Sequence, residues 1–307
     1  MLCILYVPLQ WKPSGEIRLH AYQGDRAAQT IGCVYTLSGI DGIDCEIYNE
    51  KEETTLRRAV KKNPAVFGLE DGEECPLIIA FDSCAQDVSF QIHPTDTYAK
   101  EQLQLPYGKS EAWYFIEKPS EGWVYAENKA GHRAVVEAAL QKRDFHGVID
   151  HIPVSENDLV YIRSGMMHAL TAGSLIYEIQ QSTNITYRLY DYERKDMHGH
   201  TRPLHVKEAL ANLDSSLHVQ KQSFSEGSSF DQREFSLRHL TLSGSYTNPY
   251  SIASVISVVS GSLQVDTFTV LRGGSILVMP EECIQLTGSA ECIIAAAHPY
   301  WRAQDQE

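Results

Sequence analysis

A mainly β fold of two jelly-roll barrels with an inserted set of short helices is what the 307-residue sequence predicts, on three observations. Short runs with period-2 alternation of apolar and polar residues recur along most of the chain, separated by turn residues. Only four windows carry helical spacing. A Ser- and Gln-rich stretch from Ser215 to Ser228 lacks apolar periodicity and reads as a connection between a first domain, residues 1–214, and a second, residues 215–307.

In chain order the first domain is expected to hold strands at Ile31–Leu37, Leu77–Phe81, Val88–Ile92, Glu111–Glu117, Trp123–Glu127, Leu159–Ile162, Leu175–Gln180 and Thr186–Tyr190. Helical windows at Thr54–Lys62, Asp96–Leu103, Ala130–Arg143 and Val206–Leu213 interrupt them as insertions on a β scaffold. The second domain offers strands at Ser236–Leu242, Ser254–Val259, Ser262–Val265, Thr267–Val270, Ser275–Val278 and Glu291–Ala297, with Gly261 and Gly273-Gly274 as turns. Many short strands punctuated by glycine suit a sandwich or jelly roll. Beyond the Ser215–Ser228 connection its two histidines, His239 and His298, have no carboxylate at ligand-like spacing, so it reads as a structural barrel.

Composition narrows the function. Hydrophobic residues at 43% and charged residues at 21% exclude a disordered, collagenous or coiled-coil chain. A net charge of −14 with no local basic cluster argues against nucleic acid and anionic membrane as partners. A small anionic substrate remains compatible, because surface charge is screened over about 8 Å. Seven scattered cysteines without a C-x-x-C pair point to a reducing compartment rather than a disulfide framework. The N-terminus lacks a basic n-region and meets Pro8 early, and no run approaches about 18 apolar residues. A cytoplasmic protein, monomeric or homodimeric, is expected. Phosphate-cradling, dinucleotide-binding and serine-elbow motifs are all absent.

Chemistry concentrates between residues 87 and 191. In Asp87-Val88-Ser89-Phe90-Gln91-Ile92-His93-Pro94, strand alternation puts Ser89, Gln91 and His93 on one face and Val88, Phe90 and Ile92 on the other. In a barrel the polar row can face the lumen. Glu111, with Lys109 just before it, opens a further strand, and a glycine turn at Gly165 delivers His168. His93, Glu111 and His168 supply two imidazoles and a carboxylate, a set suited to zinc or another divalent transition metal, and Gln91 can add a neutral oxygen. Glu178, sharing a face with Ile176 and Gln180, is a candidate general base with a raised pKa once partly desolvated. Arg188 is suited to a phosphate or a developing enolate oxygen. His198 and His200, split by a glycine in a polar loop, read as ordinary loop residues.

Taken together, Ser89 through Asp96, Gly108 through Tyr114, Ser164 through Ala169, and Glu178-Ile179-Gln180-Gln181-Ser182 through Asp191 resemble the type I mannose-6-phosphate isomerase family, in its short bacterial branch. The resemblance runs from roughly Gly32 to Leu213. It implies cupin barrels and a zinc site of Gln91, His93, Glu111 and His168. It also implies Glu178 as acid/base residue, Arg188 and Lys109 as catalytic and substrate-handling cations, and Ser89 as a phosphate contact. The implied reaction interconverts mannose 6-phosphate and fructose 6-phosphate through a cis-enediolate. Six positions depart from the family pattern: Lys12 and Pro13 each replace a glycine after Trp11, Cys33 a glutamate, Tyr35 a tryptophan, Ala80 a lysine and Arg163 a proline. Two other readings compete, a non-catalytic cupin that binds a sugar or sugar phosphate, and a metal cupin of another kind, such as an iron oxygenase.

Overall fold

The computed structural model describes residues 3–6, 9–10, 15–22, 30–48, 53–129, 133–145, 147–195 and 199–306. The chain forms two compact units, Met1–Lys12 with Ile17–Phe81 and Ser223–Glu307, and Pro13–Glu16 with Asp82–Gln222. This division differs from the expected one at residue 215. The reason lies in strand pairing: Cys3–Tyr6 lies antiparallel to Ser275–Val278 on one side and to Glu46–Tyr48 on the other, drawing the N-terminal segment into the sheet of the C-terminal strands. Antiparallel β structure dominates both units, as the alternation predicts.

In the first unit a nine-stranded sheet runs from Ser229–Asp231 through Phe235–Thr247, Cys283–Ala297, Ser254–Val265 and Ser275–Val278 to the N-terminal strands. Alternate residues Ile256, Val258, Leu263 and Val265 join Ile276, Val278, Cys292 and Ile294 in its core. The sequence suggests a turn at Gly261, yet Ser254–Val265 is one strand. Gly261 has φ +83° beside a register shift between Val258 and Ser260, and a Cβ there would sit 2.8 Å from the Ser289 carbonyl oxygen. The glycine therefore accommodates a bulge and a close backbone approach instead of reversing the chain.

Two antiparallel sheets make up the second unit. One has the order Ile149–Pro153, Trp123–Asn128, His168–Ala169, Phe90–Ile92, Tyr187–Tyr190. In the other, Glu111–Glu117 lies between Asp158–Ile162 and Leu175–Gln181. Trp113, Phe115, Val160, Ile162 and Ile176 pack with Val124 and Ala126 of the five-stranded sheet, so one apolar core joins the inner faces of both. Phe90, Ile92, Ala169, Tyr187 and Leu189 point the other way, against Val136 and Ala139 of the helix Arg133–Lys142 and Ala209 and Leu210 of Val206–Asn212. These helices seal the outer face of the sheet. Alternation then commits Gln91 to the inner face.

Ile149–Pro153 has no counterpart among the expected strands, because Asp150, His151 and Pro153 break its apolar pattern; it is an edge strand, where a proline is tolerated. The expected helix at Asp96–Leu103 is a single α turn, Asp96–Tyr98, followed by a wider π turn, Ala99–Leu103. Thr95 starts it by accepting the Tyr98 N–H, and Gln104, at φ 57°, ends it. No helix among the described residues is long and apolar enough to cross a membrane.

Candidate metal centre

Three segments meet on the inner face of the second unit. His93 follows the strand Phe90–Ile92, Glu111 begins Glu111–Glu117, and His168 begins the short strand His168–Ala169. Gly108 allows the approach: a Cβ there would lie 2.2 Å from the Pro94 carbonyl oxygen, so only glycine brings the Lys109–Glu111 segment this close to the His93 loop. Lys109 N–H then donates to the Pro94 carbonyl at 3.0 Å. Gly165, at φ +89°, makes the turn before His168 and donates its N–H to the His93 carbonyl at 3.1 Å. Both imidazole-bearing loops are thereby joined through backbone.

His93 Nε2 lies 3.0 Å from Glu111 Oε2, and His168 Nε2 lies 3.5 Å from Glu111 Oε1. The two rings are 4.7 Å apart. Each Nδ1 is engaged elsewhere, His93 donating to the Ile185 carbonyl at 3.0 Å and His168 to that of Met166 at 2.8 Å. Such bonds put the ring proton on Nδ1 and leave Nε2 with its lone pair toward the centre. His93 Nε2, His168 Nε2 and both Glu111 oxygens are accordingly buried with no hydrogen-bond partner. Among the described residues this is the group of His, Cys, Asp and Glu side chains able to hold a metal ion.

Electrostatics favour the same occupant. Burial pushes His168 down to about 3, with Glu111 opposing and the neighbouring His93 ring and Lys109 ammonium acting in the same direction as burial. His93 is lowered by burial and by Lys109. Burial alone would raise Glu111, but His93 and Lys109 outweigh it and hold the carboxyl well below the usual range. At neutral pH the site therefore presents two neutral imidazoles and one carboxylate, a donor set that takes a divalent cation without releasing a proton.

The other expected site residues can now be placed. Gln91 is the ladder partner of both His168 and Arg188, so Arg188, Gln91, His168 and Ala126 form one row on the inner face. Lys109 is buried with Nζ 3.5 Å from Glu111 Oε2. Ser89 is buried two residues before Gln91. Arg188 is half-buried; Nη1 donates to the Pro203 carbonyl at 3.2 Å, whereas Nε is buried without a partner. Glu178 is the ladder partner of Trp113, and so lies one step along the face from Glu111. Its Oε1 accepts the Trp113 indole N–H at 3.1 Å and its Oε2 accepts from Gln180 Nε2 at 2.9 Å. Nothing in the sequence singles out Trp113 as an N–H donor, although its position two residues after Glu111 signals a shared face.

Lys12 and Pro13 lie outside the described residues, but the other departures from the family pattern have clear environments. Cys33, Tyr35, Ile78 and Ala80 form a buried apolar cluster in the first unit, with Ile40 and Ile43 packed against it. None of these six side chains carries a charge, so no unpaired charge is buried there. Arg163 is exposed. His200 is exposed too, and His198 lies outside the described residues. In the first unit His239 is buried and pairs with Glu291 at 2.7 Å, a carboxylate that strand pairing supplies despite the distance in sequence.

No family model matches the chain. Over 262 residues it is 29% identical to the Probable mannose-6-phosphate isomerase GmuF of Bacillus subtilis strain 168, covering 80% of this chain and 82% of that protein. A mannose-6-phosphate isomerase of Streptococcus mutans serotype c is 38% identical over 149 residues, 47% of this chain and 46% of that one. The crystal structure of the mannose 6-phosphate isomerase from Bacillus subtilis superimposes with a TM-score of 0.81 at 22% identity, over 96% of this chain and 99% of the other. The last comparison establishes a shared fold.

Proposed function

The chain is type I mannose-6-phosphate isomerase-like in sequence and fold, and on that premise we propose that it is a metal-dependent isomerase interconverting mannose 6-phosphate and fructose 6-phosphate. The observation that carries the reading is the convergence of three lone-pair ligands beside a carboxylate held by neutral donors. His93, Glu111 and His168 would hold the ion, with Gln91 on the same face as a fourth ligand through its amide oxygen. A divalent ion bound there supplies Lewis acidity toward the oxygens on C1 and C2, which makes the proton on the α-carbon acidic enough for a carboxylate to remove.

Glu178 is the acid/base residue of this proposal. Its carboxylate takes the C2 proton of the open-chain aldose, and the C–H electron pair becomes the C1=C2 bond of the cis-enediolate. The C1 carbonyl π electrons move to O1 in that step; the O2–H proton then passes to O1, C1 takes back the abstracted proton as the C2 oxygen becomes the carbonyl, and the ketose forms with no net change in atoms or electrons. Two N–H donors aim the carboxylate while leaving it charged. Lys109, buried beside Glu111, adds a positive charge close to oxygens that become anionic, which is where preorganised charge has most effect. Arg188, with an unsatisfied buried Nε, and Ser89 are assigned to the phosphorylated substrate.

Proton NMR of mannose 6-phosphate in D₂O tests the proposal, using zinc-loaded and chelator-treated protein. Appearance of fructose 6-phosphate in the metal-loaded sample alone, with deuterium at C2 of recovered substrate, is the expected result. Folded, metal-bound protein that gives neither conversion nor exchange would support a second reading, favoured by the apolar Cys33–Ala80 cluster: a cupin that binds a sugar phosphate without turnover.

A further inference from the structure

Two consecutive glutamines at the end of Leu175–Gln181 face opposite ways and have different partners. Gln181 accepts the Ser110 N–H at Oε1, 2.9 Å away, tying the strand to the segment that carries Lys109 and Glu111. Gln180 is on the inner face as the ladder partner of Glu111, and is 5% exposed. Its Nε2 donates to Glu178 Oε2. Its Oε1 is buried and has no hydrogen-bond partner. The amide orientation follows from this network, since reversing it would press Oε1 against a carboxylate oxygen.

Buried amide oxygens in folded proteins are almost always satisfied, and one left open on the face that carries a site marks a position for a ligand's donor. A neutral oxygen needs an N–H or O–H. Phosphate and carboxylate groups have no proton to offer at neutral pH, whereas the hydroxyls of an open-chain sugar do. Meanwhile the Glu178 carboxylate is held at one oxygen by Trp113 and at the other by Gln180, so loss of the Gln180 N–H removes one of the bonds that orient it while the ligand atoms of His93, Glu111 and His168 stay in place.

We propose that Gln180 is both a positioning and a specificity residue: its amide N–H₂ aims the Glu178 carboxylate, and its amide oxygen accepts a hydrogen bond from a hydroxyl of an open-chain polyol phosphate. The substrate class rests on the isomerase reading above; the unfilled acceptor beside Glu178 does not.

The experiment compares wild type, Gln180→Met and Gln180→Glu as full-length, zinc-loaded protein. Calorimetry follows binding of mannitol 1-phosphate, a non-reacting open-chain analogue, and of hexyl phosphate, which lacks the hydroxyls. Gln180→Met should weaken mannitol 1-phosphate on the order of tenfold, leave hexyl phosphate unchanged, and lower kcat on mannose 6-phosphate by a similar factor or more at equal zinc content. Gln180→Glu loses the N–H₂ donor and sets a second carboxylate against Glu178 Oε2, so kcat should stay low in that variant too. Unchanged affinity and unchanged kcat in Gln180→Met would overturn the inference alone. Wild-type protein that binds mannitol 1-phosphate through Gln180 without turning over mannose 6-phosphate would overturn the isomerase reading and uphold the hydroxyl contact. Absence of both binding and turnover in wild type would overturn both.

Discussion

His93 Nε2 and Glu111 Oε2 face each other across 3.0 Å with no proton between them, because the His93 ring proton is committed to the Ile185 carbonyl. Two lone pairs at that separation in a buried site repel; Lys109 Nζ, 3.5 Å from the same Glu111 oxygen, offsets part of that repulsion, and a divalent cation between the ligands would remove the rest. His168 Nε2, 3.5 Å from the other Glu111 oxygen, is in the same condition.

Metal removal should therefore destabilise the fold as well as abolish any Lewis acidity. A ligand present at about 1,000 times its Kd adds about 4 kcal/mol to stability. Zinc-loaded protein should melt on the order of 10 °C above chelated protein, and His93→Ala or His168→Ala should lose that increment together with bound metal by elemental analysis. Equal melting temperatures with and without chelator would remove the metal centre from the account.

Glu178→Gln separates proton transfer from metal binding. Glu178 lies one ladder step from Glu111 and bonds to Trp113 and Gln180, so the amide should leave zinc content unchanged. Turnover of mannose 6-phosphate should fall by about 10²–10⁴, the usual contribution of a positioned acid/base group. Retained activity would move that role to another side chain.

Acid should destabilise the metal-free protein early. His168 is held at about 3 against an ordinary 6.5, by burial first, and His93 is shifted in the same direction. As pH falls from 6.5 toward 3, the unfolded chain binds protons at these rings that the folded chain refuses, so stability is greatest above 6.5 and declines through this window. Each ring contributes a slope of at most about 1.4 kcal/mol per pH unit. Glu111, also depressed, adds a loss of the same sign below its ordinary 4.5. Urea midpoints of chelated protein between pH 7 and pH 4 measure this, and His168→Gln should flatten the profile.

Gly108→Ala would place a methyl 2.2 Å from the Pro94 carbonyl oxygen and 2.7 Å from the Thr95 carbonyl carbon, both backbone atoms that cannot step aside. A loss of about 3 kcal/mol or more is expected. The same shift would displace Lys109 and Glu111, so zinc affinity should fall with stability; chemical denaturation and a metal titration report the two separately.

Cys33 and Ala80 share one buried apolar cluster, which makes their replacements interdependent. Cys33→Glu or Ala80→Lys alone would bury an unpaired charge and should cost about 3 kcal/mol or more. Both together should cost less than the sum, with a coupling of about 1–3 kcal/mol in a double-mutant cycle. Strict additivity would mean that the two side chains do not meet.

Much of the site was legible before folding was considered, and the residues show why. The alternation of Ser89, Gln91 and His93 with Val88, Phe90 and Ile92 fixes which side chains share a face, because successive side chains on an extended backbone point oppositely whatever they pack against. Period-2 runs likewise announced the mainly β class, and Gly165 announced a turn. At Gly261 the sequence suggests a turn where the strand continues through a bulge: both need positive φ, and only the Ser289 backbone beside it distinguishes them.

Convergence itself belonged to the tertiary structure. That Glu111 reaches both imidazoles, that Trp113 and Gln180 hold Glu178 between them, and that Cys3–Tyr6 pairs with strands from the far end of the chain are all consequences of which apolar faces are buried together. Covalent geometry sets the direction of each side chain locally. Which directions meet is decided only when sheets bury their faces against one another, a cooperative choice that no short stretch of sequence contains.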